Sequence, residues 1–205
     1  MHTNPSFRKT PDETSLEFAR QRGFGIMSVN GETVPLNAHI PFLLSDDGTK
    51  IEAHMTRSNP VLRALNGGAK PALLTVSGPD AYISPDWYGA EDMVPTWNYI
   101  AVALSGDLTA LPAEYLLPHL ARLSLMFETC LLPKPIWLTD KVNPDALSRM
   151  LRMIVPVEMS ITKVDATWKL GQNKGDAART AAANGLRATG AEHAALAELM
   201  ANPPS

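Results

Sequence analysis

The segment His54-Met-Thr-Arg-Ser-Asn-Pro combines side chains that can bind an anion. The pattern predicts that a strand ends here and a helix begins, so that free backbone N–H groups and the positive end of a helix dipole lie beside Arg57. Arg57 can add a bidentate guanidinium, and Thr56, Ser58 and Asn59 can add side-chain hydrogen bonds. The spacing therefore predicts a phosphate-binding turn that lacks a glycine-rich loop. An ordinary capped helix beside an exposed arginine fits the same residues.

Two histidines, His39 and His54, fall on strands that we expect to be neighbours. A metal pair is conceivable, but without a third clear ligand a packed or hydrogen-bonded histidine is the simpler interpretation. The motifs HExxH and GxSxG and the Walker loop are all absent from the sequence. Cys130 is the only cysteine, which excludes an intramolecular disulfide and a CxxC zinc site, and its apolar surroundings predict a core position.

Aromatic residues concentrate in the segments 82–88 and 94–99. They could stack on a planar ligand, line a groove between two subunits, or form a small hydrophobic cluster that caps a barrel. Farther along the chain, Trp168-Lys-Leu-Gly-Gln-Asn-Lys carries two lysines and two amides directly after a strand. This segment could close a phosphate site or could be a polar turn.

Composition limits the classes of protein that remain. Hydrophobic residues make up 45% of the 205 residues and charged residues 19%, which is typical of a globular chain. The formal net charge of −3 argues against a surface that is basic throughout, as nucleic-acid binding would favour. The N-terminus lacks the apolar core of a secretory signal, and no run of 18 apolar residues could span a membrane. We therefore expect a soluble, cytoplasmic protein.

These residues must be positioned by a largely antiparallel sheet. Asn30-Gly31 between two apolar runs predicts a hairpin, and Gly78-Pro-Asp predicts a second turn between two strands. About six short strands are expected by residue 108, which a barrel or a sandwich would bury. A helical layer then follows.

The helical layer is predicted at about 113–154, with a last strand from Val155 to Val164. In its second helix, which begins after Asn143, Leu147 and Met150 are expected to face inward together with their helical neighbours. Residues 176–205 form an alanine-rich helical tail.

Five segments, taken together and in this order, resemble the PaiB family, which is described as FMN-binding negative transcriptional regulators. They read His39-Ile-Pro-Phe-Leu-Leu, His54-Met-Thr-Arg-Ser-Asn-Pro, Tyr82-Ile-Ser-Pro-Asp-Trp-Tyr, Val94-Pro-Thr-Trp-Asn-Tyr and Lys169-Leu-Gly-Gln-Asn-Lys. The resemblance spans residues 39–174, and its two aromatic segments, 82–88 and 94–99, are long enough to be specific.

The resemblance implies an α+β fold: an antiparallel split β-barrel of the FMN-binding type, similar to pyridoxamine 5′-phosphate oxidase, with flanking helices. The barrel domain would cover residues 1–175, and the fold implies a homodimer with FMN at the subunit interface. The implied FMN contacts are Ala38, His39 and Ile40 against the ring, His54, Met55, Thr56, Arg57, Ser58 and Asn59 around the phosphate, and Trp97, Asn98, Tyr99, Lys169, Gln172 and Asn173 closing the pocket in the same or the other subunit.

The sequence also departs from the family pattern. The family more usually has Ser where this chain has Gly171, and Arg where it has Lys174, which lacks the planar fork of a guanidinium. Three functions stay open: an FMN-binding regulator, a flavin-dependent oxidoreductase on the same fold, and a dimer without cofactor. The regulator role implies DNA as a partner, although the acidic pI and the absence of a recognisable helix-turn-helix argue against strong direct binding.

Overall fold

Six strands and six helices make up the computed structural model, which describes residues 2–204. The strands are β1 (Phe24–Val29), β2 (Leu36–Leu44), β3 (Lys50–Thr56), β4 (Lys70–Ile83), β5 (Thr96–Ala110) and β6 (Ile154–Lys169). The helices are α1 (Asp12–Arg22), α2 (Pro60–Ala64), α3 (Leu116–Thr129), α4 (Pro144–Leu151), α5 (Asp176–Arg187) and α6 (Ala194–Ala201). The strands form a closed barrel in the order β1-β2-β3-β6-β5-β4. The predicted antiparallel split-barrel fold is thereby confirmed at the level of its strands.

The chain divides into two compact units. Unit 1 comprises Met1–Phe18, Val76–Ala103 and Val164–Ser205, and unit 2 comprises Ala19–Thr75 and Leu104–Lys163. Each unit is described by itself.

Unit 2 contains the strand pairings that position the predicted phosphate turn. β1 pairs with β2 over its whole length, and β3 pairs antiparallel with β6, from Lys50 opposite Ser160 to Thr56 opposite Ile154. The residues alternate in burial along β3, since Ile51, Ala53 and Met55 point into the core while their neighbours do not. This alternation leaves Glu52, His54 and Thr56 on the outer face of β3.

Unit 1 has an apolar core to which α5 and α6 contribute. Ala182, Leu186, Leu196 and Met200 are buried there, in a cluster that also includes Trp168. The indole Nε1–H of Trp168 donates a hydrogen bond of 3.0 Å to the buried Ser15 Oγ, so burial of the indole leaves no polar atom unpaired. The alanine-rich segment is helical, as its composition predicted, and its small side chains are part of a packed interior.

Three details of the sequence interpretation are wrong. β4 runs without interruption through Gly78, where we expected a turn. A Cβ at Gly78 would lie 2.8 Å from Ile100 Cβ and from Phe18 Cζ, so the glycine allows close packing within a strand. Cys130 is exposed. Met150 is half exposed, and no residue of α4 is buried.

Candidate functional site

The predicted phosphate turn lies where β3 ends and α2 begins. Thr56 and Ser58 are exposed, and their hydroxyl oxygens are 3.4 Å apart. The N–H of Asn59 donates to the carbonyl of Thr56 over 2.9 Å, which closes the turn. The Asn59 side chain accepts the N–H of Val61 and thereby caps α2. Because α2 has only five residues and Pro60 has no N–H, the donors for an anion are mainly the two hydroxyls and Arg57.

Two backbone carbonyls hold Arg57 in place by accepting hydrogen bonds from it. Its N–H donates to the carbonyl of Met153 over 2.9 Å, and its side-chain Nε donates to the carbonyl of Arg152 over 2.6 Å. Within residues 2–204, its terminal nitrogens Nη1 and Nη2 have no hydrogen-bond partner. The guanidinium is therefore oriented by one edge while its other donors are available, which is the arrangement that recognition of an anion needs.

The second predicted segment lies near the beginning of β2, where the edge of this strand on the β3 side extends beyond the described β2–β3 pairing. Ala38 and Ile40 pair with Met27 and Gly25 of β1, whereas within residues 2–204 the pairing of β2 with β3 runs over Phe42–Leu44. The side chains of Ala38 and Ile40 are buried and that of His39 is exposed. A ligand at this edge would therefore meet backbone groups and His39, and the predicted contacts of Ala38 to Ile40 with the flavin ring stay a prediction. Met55 on β3 is buried as well, so its side chain faces the core.

His54 is part of a network that the sequence did not reveal. Its Nδ1 lies 3.1 Å from Nε2 of His119 on α3. The side chain of His119 is only 2% exposed, and its Nδ1 lies 3.8 Å from the Glu52 carboxylate, which also accepts a hydrogen bond from Arg122. A proton on Nδ1 of His119 would be attracted by the Glu52 carboxylate, which leaves Nε2 of His119 without a proton. The geometry therefore favours the tautomer in which Nδ1–H of His54 donates to Nε2 of His119.

Both histidines are neutral in this arrangement at neutral pH. Burial lowers the pKa of His54. Burial lowers the pKa of His119 to about 4, and repulsion from the protonated form of His54 and from Arg122 adds to this effect. Among the described residues, no group of three or more His, Cys, Asp or Glu side chains could hold a metal ion. His54 therefore shares its hydrogen bond with His119, whereas the sequence suggested His39 as its neighbour.

Unit 1 contains the remaining predicted residues, and strand alternation separates them. Trp97 is exposed and packs edge-on against Tyr82, with ring centroids 6.4 Å apart, while Tyr99 is half-buried. Trp97 and Tyr99 line a shallow cleft of about 290 Å³. Asn98 between them points to the other side of β5 and is 1% exposed. An aromatic surface and a buried amide therefore lie on opposite faces of one strand.

The residues after β6 have different roles from one another. The side-chain amide of Gln172 is used within its own turn, because Oε1 accepts the N–H of Leu170 over 2.8 Å and Nε2 donates to the carbonyl of Trp168 over 2.6 Å. Lys169 and Asn173 line a cavity of about 240 Å³ together with Asn98. The structure thus brings Asn98, Lys169 and Asn173 together within unit 1, as it brings His54 and Thr56–Asn59 together within unit 2.

The comparison with known families decides the affiliation of the chain. Residues 1–163 match the family described as "Putative FMN-binding domain". This chain belongs to the PaiB-type FMN-binding family. The "Protease synthase and sporulation protein PAI 2" of Bacillus subtilis (strain 168) is 30% identical over 178 residues, covering 86% of this chain and 84% of the relative.

Membership of the PaiB-type family confirms the resemblance and supports FMN as the cofactor, as predicted from the sequence. The family match ends at residue 163, so Lys169–Asn173 lie beyond it. The turn Thr56–Asn59 lies within it. The donors of this turn fit a phosphate group, since the segment from Ala53 to Arg63 contains no carboxylate and presents two hydroxyls and a guanidinium.

Solved structures agree on the fold. The FAD and heme binding protein from Mycobacterium smegmatis superposes with a TM-score of 0.59 at 16% identity, covering 80% of this chain and 74% of that chain. The flavocytochrome Anf3 from Azotobacter vinelandii gives a TM-score of 0.60 at 15% identity, with coverages of 82% and 72%. At such low identity these likenesses establish the fold alone. Within the described part of the chain, no helix has the length and apolarity that a membrane span requires.

Proposed function

We propose that this protein binds FMN as a homodimer and acts as a regulator whose state depends on the flavin. The observation that carries the proposal is the geometry of the turn: Nε of Arg57 donates to the carbonyl of Arg152, Nη1 and Nη2 have no hydrogen-bond partner among the described residues, and the hydroxyls of the adjacent Thr56 and Ser58 lie 3.4 Å apart. These groups would bind the two negative charges of the FMN phosphate through charge-assisted hydrogen bonds.

The edge of β2 would position the ring. Ala38 and Ile40 present backbone to a ligand because their side chains point inward, and His39 presents its imidazole on the outer face. Bound FMN would supply reversible hydride chemistry. We favour regulation over catalysis because the PaiB family is described as negative transcriptional regulators.

The helical layer of unit 2 supports the homodimer. Eight large hydrophobic side chains in this layer are at least half exposed: Tyr115, Leu117, Leu125, Leu131, Leu132, Leu138, Met150 and Met153. Large apolar side chains exposed in this number favour an interface with another molecule. A second copy of the chain is the partner that the family resemblance implies, and its binding would bury these side chains.

One experiment with three readouts tests the proposal. FMN is added to the purified protein, its visible spectrum and the mass of the complex in solution are measured, and a gel shift is run with DNA from upstream of the protein's own gene at moderate salt. We expect a stoichiometric flavin spectrum, the mass of a dimer, and a shift that changes when the flavin is reduced. Rapid reduction of the flavin by NAD(P)H without any shift would favour the oxidoreductase. Absence of flavin binding would leave a cofactor-free dimer and contradict the proposal.

A further inference from the structure

Unit 1 contains a cavity that neither the Arg57 turn nor β2 lines, although its wall includes Asn98, Lys169 and Asn173, which the family resemblance implies as FMN contacts. Its volume is about 240 Å³, and it lies among the N-terminal segment, the beginning of β5 and the turn that follows β6. Phe7, Tyr88 and Val94 give it apolar walls. Pockets that enclose a drug-sized molecule have volumes of roughly 300–1,000 Å³. A whole FMN therefore does not fit inside this cavity of one protomer, whereas a molecule of about the size of a single ring with one polar group does.

Asn98 is the first indication that the cavity takes a ligand. Its side chain is 1% exposed, and neither Oδ1 nor Nδ2 has a hydrogen-bond partner within the described residues. Buried amides in native proteins are nearly always paired, because an unpaired one loses its interactions with water without replacement. A polar group of a molecule bound in this cavity would supply the hydrogen bonds that the amide of Asn98 lacks.

Gly171 keeps the approach to this amide open. A Cβ built at Gly171 would lie 3.8 Å from Nδ2 of Asn98 and 3.5 Å from Cγ of Arg179. The backbone φ of +84° at this position favours glycine, since other residues are strained there. The turn after β6 therefore has no side chain where one would cover the amide.

Two lysines give the cavity a positive charge. Nζ of Lys169 donates to Oγ1 of Thr96 and lies 5.9 Å from the ring centroid of Phe7. Nζ of Lys174 has a thioether and an aromatic ring as its neighbours: Sδ of Met93 at 3.3 Å and the centroid of Tyr88 at 5.6 Å. Neutral neighbours of this kind do not balance an ammonium charge as a carboxylate would.

Nothing in the described lining of the cavity balances these two charges, because it contains no Asp or Glu. Burial lowers the pKa of Lys169, as expected for an ammonium that is partly removed from water without a counter-ion. An anion in the cavity would accept hydrogen bonds from the lysines and from Nδ2 of Asn98 at the same time. Its apolar part would contact the aromatic walls.

We propose that this cavity binds a small organic carboxylate with an apolar body, at a site separate from that of FMN. The carboxylate lies between Lys174, Lys169 and the amide of Asn98, and the body lies against Phe7 and Tyr88. A small metabolite of this class would then bind to the protein independently of the flavin.

The test follows the side-chain amide of Asn98 by NMR in the 15N-labelled full chain, with benzoate as the probe and with acetate and inorganic phosphate as comparisons. The resonance pair is assigned by its loss in Asn98→Leu. We expect a saturable shift with benzoate, at lower concentration than with either comparison. Lys174→Met should weaken benzoate binding at least tenfold, because it removes the charge and keeps the stem. Lys9→Met, which removes an exposed charge of unit 1 outside the cavity, should leave it unchanged.

Each titration is run without FMN and with saturating FMN. The same benzoate affinity in both conditions, with a flavin spectrum that shows FMN bound, supports two separate sites. If the protein binds no FMN, saturable benzoate binding at Asn98 still supports the carboxylate site. Displacement of benzoate by FMN would assign the cavity to the flavin and contradict the proposal. Tighter binding of phosphate than of benzoate would contradict the carboxylate class. The absence of any shift at Asn98 at millimolar probe would show that the cavity binds no such anion.

Discussion

The Nδ1 atom of His54 and the Nε2 atom of His119 lie 3.1 Å apart, so one hydrogen bond links β3 to α3. The remaining nitrogen of His119 is buried without a hydrogen bond. A second proton on this pair would place a positive charge in a buried site next to Arg122. Because protonation of this histidine pair is unfavourable in the folded protein, the free energy of unfolding depends on pH.

We predict that the protein loses stability as the pH falls below about 6.5. The pKa of His119 is about 4 in the folded chain and 6.5 in the reference state. The unfolded chain therefore binds more protons between these two values, and the stability that is complete above pH 6.5 declines as the pH falls toward 4. The loss is on the order of 2–3 kcal/mol. Urea unfolding at about pH 7 and about pH 5 measures it.

The control for this prediction is His119→Gln, which can still form a hydrogen bond with His54 but does not titrate. We expect this variant to be somewhat less stable at neutral pH and to show a clearly smaller decrease on acidification. An equal decrease in both proteins would mean that other groups cause the acid sensitivity.

We predict that Gly78→Ala destabilises the protein by about 1–3 kcal/mol, the usual cost of overpacking. The added methyl would lie 2.8 Å from Phe18 and Ile100 inside unit 1. Gly175→Ala is the matched control, because nothing lies within 4 Å of its Cβ position and its φ is −62°. Thermal unfolding measures the stability of both variants. A Gly78→Ala variant that is as stable as the Gly175→Ala variant would contradict close packing at Gly78 and favour the exposed turn that the sequence suggested.

The sequence predicted those features that depend on local pattern. Turn chemistry at Asn30-Gly31 and the strand–arginine–helix spacing around Arg57 both indicated elements that the structure contains. The turn predicted at Gly78 was wrong because a glycine followed by proline has the local signature of a turn. The glycine is instead required by close packing against Phe18, which is 60 residues distant in the chain. Local pattern alone does not carry that information.

The site shows the same division between local and distant contacts. The position of Thr56–Asn59 followed from short spacing, but the partners of this turn come from remote segments. His119 meets His54 across 65 residues, and the carbonyl of Arg152 meets Arg57 across 95. The exposed position of Cys130 was missed for a related reason, since an apolar helix face predicts burial only when another element covers it.

We predict that Leu138→Glu shifts the protein toward the monomer and raises the dissociation constant of the dimer at least tenfold. A charge introduced at a buried interface must lose its hydration without a partner. Sedimentation across a range of concentrations measures the constant. Val34→Glu is the control, since Val34 is also exposed in unit 2 but lies in the loop between β1 and β2. If both variants, or neither, weaken the dimer, the helical layer is not the specific interface.

Titration of FMN into three proteins tests the central claim most directly: the wild type, Arg57→Ala, and Arg63→Ala as the control. Arg63 is also exposed and lies on α2, six residues farther along the chain. We predict that Arg57→Ala weakens FMN binding by about 1.5–3 kcal/mol, the contribution of a charge-assisted hydrogen bond to phosphate, which corresponds to roughly 10- to 150-fold in the dissociation constant. Arg63→Ala should change it less than threefold. Equal affinities in all three proteins would show that the turn at Thr56–Asn59 does not bind the phosphate.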